Sequence, residues 1–173
     1  MNRYTLLNVT NLFDFSLQIY YETYETEKAP HFLPNRREAR FMAKINDEMK
    51  TILEDASLWI LATADRDGMP NAVPIKWTKV LGNDTLMLVD NFMSKTIDNV
   101  AVNPKVSISA WKESTGYQFK GAAVIETSGP TFEEGKEMLI KAGSDRSPKG
   151  AVIVKVDSIF SISPGSDAGK RLA

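Results

Sequence analysis

Three adjacent residues, Ser94-Lys95-Thr96, carry the strongest chemical signal in this 173-residue chain. They follow an apolar, strand-sized run and open a segment of helical period. At such a point free backbone N–H groups, a helix dipole, two hydroxyls and one ammonium can converge on a single anion, and a phosphate monoester suits that set. Taken alone, the triplet reads first as an N-cap followed by a surface lysine. Strand-like runs lie on both sides of it. Asn71, Val73, Pro74, Ile75 and Lys76 lie on one strand-like run, Asp90 and Asn91 end the next, and Trp111, Gln118 and Lys120 lie on two later ones. Val73, Ile75 and Trp111 also read as core or interface residues, Asp90 as a cap for the following helix, and Lys120 as a solvated strand residue. Gly121, next to Lys120, permits close approach of a backbone or a ligand.

Much other chemistry is missing. The only histidine is His31, far upstream of these motifs, and there is no cysteine. A Ser-His-Asp or Cys-His arrangement, a His-ligated metal, a Cys-based zinc or iron–sulfur site and a disulfide are therefore not expected. Residues 165–171, GSDAGKR, imitate a phosphate loop but are one residue short, with Arg where Ser or Thr must reach magnesium. A C-terminal tail is the simpler expectation, with Lys170 or Arg171 folding over an anionic ligand as its rival. No Gly-x-Gly-x-x-Gly follows a strand, which argues against a doubly wound dinucleotide site. Lys plus Arg number 21 against 22 Asp plus Glu, so no basic field favours nucleic acid. No run approaches the roughly 20 apolar residues that span a bilayer, and the first residues lack a signal-peptide pattern. Neither a membrane nor nucleic acid is expected as a partner, and the cytoplasm is the expected compartment.

The elements that must position these residues follow from periodicity. Ile45, Met49, Ile52, Leu53 and Ala56 recur at helical spacing, with Asp47, Glu48, Lys50 and Glu54 opposite. Residues 58–64, 71–81 and 85–91 read as strands, joined by polar turns at 65–68 and 82–84. Pro74 confines its strand to an edge or a bulge. A helix follows from Ser94 and stops at Asn103-Pro104. Two strands come next, in KVSISAW and YQFKGAAVIETS; Thr131-Phe132-Glu133-Glu134 reads as a capping box opening a third helix, and AVIVKVDSIFSIS as a last strand. Six mostly antiparallel strands with peripheral helices predict a mainly β protein, a small barrel or strongly coiled sheet.

The succession NAVPIKW, LVDNFMSKT and, after Trp111, GYQFKGAA resembles the pyridoxamine 5′-phosphate oxidase-like family of FMN-binding split barrels, over residues 42–163. The resemblance implies a six-stranded antiparallel split barrel that forms a homodimer, with two FMN sites at the subunit interface. Asn71, Val73, Pro74, Ile75 and Lys76 would run beside the flavin, and Asp90 and Asn91 would flank its ring and ribityl chain. Ser94, Lys95 and Thr96 would hold the phosphate, while Trp111, Gln118 and Lys120 would come from the other chain. In the oxidase proper, arginine and lysine stand at the positions of Lys95 and Thr96, so this chain has one cation fewer there, for which Lys76 could compensate. The longer C-terminal region with the Arg and His that contact pyridoxamine phosphate is also missing, so vitamin B6 oxidation is not expected. The resemblance thus points to a flavin-dependent oxidoreductase or electron-transfer protein with a small-molecule or protein redox partner. The alternatives are a non-catalytic module that stores or senses flavin, and a deazaflavin-dependent reductase. No catalytic acid or base is nominated.

The resemblance and the regular periodicity both begin at Met42. Arg36-Arg37 can be encoded AGG-AGG, a ribosome-binding sequence, so translation is expected to start at Met42, with residues 1–41 a mis-called extension. The rival is an N-terminal arm packing across the dimer. The expected organisation is a domain at 42–164 and a tail at 165–173.

Overall fold

A computed structural model of the chain describes residues 43–173; the expected start at Met42, the segment before it and His31 lie outside the described residues. The order is α1 (Asp47–Asp55), β1 (Trp59–Ala64), β2 (Pro70–Ile75), β3 (Thr78–Val80), β4 (Thr85–Asp90), α2 (Lys95–Val102), β5 (Lys105–Lys112), β6 (Thr115–Glu126), α3 (Pro130–Lys141) and β7 (Gly150–Ser161). All the strands join one antiparallel sheet in the order β2-β1-β5-β6-β7-β4-β3. The two edge strands, β2 and β3, are joined by Lys76 and Trp77 alone. Both edges of the sheet therefore lie side by side, and the sheet rolls into a split barrel.

The described residues hold seven strands where six were expected. The run 71–81 is two strands because it changes partner at Lys76-Trp77: Ile75 still pairs with Trp59 of β1, whereas Thr78 pairs with Leu88 of β4. Pro74 stands opposite Ile60 on β2, an edge strand, where its missing N–H costs little.

Alternation along the strands builds two cores. Leu86 and Leu88 of β4 and Val152, Val154 and Val156 of β7 face the barrel interior, with Trp59, Leu61, Ile108 and Phe119. Met87, Val89 and Ala151 face outward and are covered by Phe132 and Leu139 of α3. β4 is thus apolar on both faces.

Met49 and Leu53 place one face of α1 in the barrel core. Asn46 caps this helix, its side chain accepting from the Met49 N–H at 2.9 Å. Ile45 precedes the helix and donates its N–H to Asn83 O at 2.6 Å. The capping box expected at Thr131 does not form. Gly129, at φ 95°, is the N-cap of α3, and Pro130 takes the first helical position, where a missing N–H is harmless. The C-terminal residues are no free tail. Arg171 bridges to Phe160, and Ser161 N–H donates to Lys170 O at 2.9 Å, so the chain returns along the stretch of β7 that β4 leaves uncovered.

Tyr117 of β6 donates its hydroxyl to Glu48 of α1 at 2.7 Å. Burial first, then the bond to Glu48, push this phenol up to about 12 from its ordinary 10.0. A raised folded-state pKa adds stability that is complete below the unfolded value of 10.0 and is lost as pH climbs through about 12. We expect Tyr117→Phe to remove the part of alkaline destabilisation that falls in that window. Paired denaturant titrations across it check this, and parallel curves for the two proteins would refute it.

Candidate functional site

The start of α2 is set by Asp90. Its buried carboxylate accepts the Met93 N–H at 2.7 Å, and its carbonyl accepts the Lys149 N–H at 2.8 Å. The tight loop between them leaves Ser94 as the N-cap, with no cap bond from its side chain. Ser94 and Lys95 are exposed, and neither side chain has a hydrogen-bond or ion-pair partner among the described residues. Thr96 differs, being only 2% exposed, and its hydroxyl accepts from Asn71 Nδ2 at 3.1 Å. The expected stop also forms, with Asn103 extended before Pro104.

Beside this helix start lies a pocket of about 240 Å³ that brings together Val73, Pro74, Ile75, Lys76 and Asn91. Asn91 lines it, and the Asn91 Oδ1 is shielded from solvent with no hydrogen-bond partner among the described residues. Five further lining residues went unread in the sequence: Trp77, Val89, Phe92, Met93 and Arg146. The Lys76 ammonium lies 5.4 Å from the Trp77 ring centroid, and the Arg146 guanidinium 5.0 Å from that of Phe92. Phe92 is 73% exposed, and an aromatic placed straight after the Asp-Asn pair was a visible signal. Arg146 sits in a polar loop without periodicity, so nothing marked it.

Trp111, Gln118 and Lys120 do not line the pocket. They share the outward face of β5 and β6, opposite the inward Ile108, Ala110 and Phe119. One cross-strand row on this face runs Pro74, Ile60, Ser109, Gln118, Phe160, so Pro74 belongs to both the pocket and the face. Trp111 is 48% exposed, and Lys120 Nζ lies 4.7 Å from the Phe160 ring centroid. Gly121 does permit a close approach, but the backbone it admits is that of Lys155 on β7.

A family model described as pyridoxamine 5′-phosphate oxidase matches residues 45–163. An uncharacterized protein of Methanocaldococcus jannaschii is 36% identical over 135 residues, which cover 76% of this chain and 90% of the relative. Among solved structures, HupZ of Group A Streptococcus is 30% identical with a TM-score of 0.64, covering 72% of this chain and 99% of that one. An FMN-binding protein of Syntrophomonas wolfei shares the fold at a TM-score of 0.61 and 16% identity, over 87% of this chain and 99% of its own. The order of motifs, the rolled antiparallel sheet and these matches agree: the chain belongs to the pyridoxamine 5′-phosphate oxidase-like family.

Proposed function

We propose that this chain binds FMN and acts as a flavin-dependent oxidoreductase or electron-transfer protein. The observation that carries the reading is the pocket lined by Val73, Ile75, Lys76 and Asn91 beside a helix start whose exposed Ser94 and Lys95 have no partner among the described residues. The residues fit the cofactor. Ser94, Lys95 and the first N–H groups of α2 would hold its phosphate, with Thr96 buried beneath them. Val73, Ile75 and Lys76 would line its ring, with Asn91 flanking it. FMN, when bound, supplies hydride or single-electron transfer itself, so no protein acid or base is needed to explain redox activity.

A pocket of about 240 Å³ is small beside the roughly 300 Å³ or more of a complete cofactor site. That shortfall supports a homodimer in which Trp111, Gln118 and Lys120 of a second copy complete each site. The outward face that carries them offers small residues, Ala62, Ala72, Ser107 and Ser109, over which another sheet can lie flat.

Purified protein is expected to be yellow and to release FMN, identified by mass, on denaturation. Its absorbance should bleach with dithionite and return in air. A colourless protein that takes up no added FMN overturns the reading, and bound flavin that cannot be reduced limits it to storage or sensing.

A further inference from the structure

Beneath the start of α2 four uncharged polar side chains meet inside the barrel wall. Thr63 comes from β1, Asn71 from β2, and Thr96 and Asn99 from α2; Thr63, Thr96 and Asn99 are buried. Asn99 Nδ2 donates to Thr63 Oγ1 at 3.0 Å, and Asn71 Nδ2 donates to Thr63 Oγ1 at 3.3 Å and to Thr96 Oγ1 at 3.1 Å. An amide nitrogen only donates, so both threonine oxygens act as acceptors and Thr63 ties two partners at once. Polar groups are costly to bury, and apolar side chains of this size would pack as well. What the polar set adds is direction: it fixes one rotation and one height of the helix against two strands. α2 has eight residues, too few to hold its own first turn in water.

We infer that Thr63, Asn71 and Asn99 are positioning residues that clamp the first turn of α2, so that Ser94 and Lys95 meet a phosphate. The inference rests on the FMN reading above. It adds Thr63 and Asn99 to the residues that shape the site, and it gives the Asn71 side chain a partner in the helix.

Thr63→Val keeps the shape of the side chain and removes the shared acceptor. In the full-length protein we expect FMN to bind about tenfold more weakly, riboflavin to bind unchanged, and Thr63→Ser to restore FMN affinity. Amide hydrogen exchange supplies a readout that needs no cofactor. The Ile97 and Asp98 N–H groups, which donate to Ser94 O at 3.0 and 3.1 Å, should exchange faster in Thr63→Val and regain protection in Thr63→Ser. Should Thr63→Val fail to fold, Asn99→Ala removes the donor on the helix side and should give the same pattern. Equal loss of FMN and riboflavin, or unchanged exchange at Ile97 and Asp98, overturns the clamp. A wild-type protein that binds FMN no better than riboflavin overturns the phosphate reading instead, and the exchange result then still decides whether the clamp exists.

Discussion

Gly121→Ala should leave little folded protein. A methyl group at this position would lie 1.9 Å from Lys155 O, 2.8 Å from Lys155 C and 3.0 Å from Val156 Cα. All three are backbone atoms of β7, so no side chain can swing aside. The register between β6 and β7 also shifts here, Lys120 pairing with Ser158 and Gly121 with Val156, so Asp157 bulges out. Relief would require parting the two longest strands of the barrel at the point where they bend. Overpacking a core with a methylene costs about 1–3 kcal/mol when neighbours can yield, and a clash with fixed backbone should cost about 3 kcal/mol or more. That is a large share of a typical stability of about 5–15 kcal/mol. Urea unfolding, with soluble yield as a second measure, checks it against Gly82→Ala, where a methyl group would meet nothing within 4 Å. Equal midpoints for the two variants would show that the strands part easily.

Lys95→Glu should produce the largest change in ligand binding. The lysine is exposed, unpaired among the described residues and at the first position of α2, so the substitution disturbs no packing. It removes a charge-assisted bond of about 1.5–3 kcal/mol to a phosphate and sets a carboxylate in its place. Together these amount to an FMN affinity lowered about a hundredfold or more. Riboflavin has no phosphate and should bind as before. The wild-type preference for FMN should also shrink as salt is added, because the site is open to screening. Titration of both ligands into wild type and variant decides the matter. Losses that are equal for FMN and riboflavin would remove Lys95 from the phosphate.

The barrel was legible where one face of a strand is wet. β1 alternates Trp59, Leu61 and Thr63 inward with Ile60, Ala62 and Ala64, and its turn at Gly68 takes the positive φ that reverses the chain. β4 could be recognised as buried but not as two-faced, since a run that is apolar throughout has no period to say which side meets a helix. The break at Lys76-Trp77 was hidden for another reason. The chain there changes partner without a glycine or a polar turn, and partner exchange has no local signature. The false capping box shows a stronger local rule prevailing: Gly129-Pro130 had already opened the helix two residues earlier. In the candidate site, the sequence named residues on the flanking strands and the helix start. It could not name Thr63 or Asn99, which look like an ordinary strand threonine and an ordinary helix asparagine until the fold places them within 3.0 Å of each other.

The strand order also sets a timetable. β7 lies between β6 and β4, pairing residues 150–155 with a strand that left the ribosome more than fifty residues earlier. Until it is made, β4 shows an apolar surface on both sides with only the short β3 for company. Closure therefore waits on synthesis of the strand that follows all the others, and long-range pairing of this kind is slow. For that interval the nascent chain carries an open, sticky edge, the kind of surface that chaperones hold.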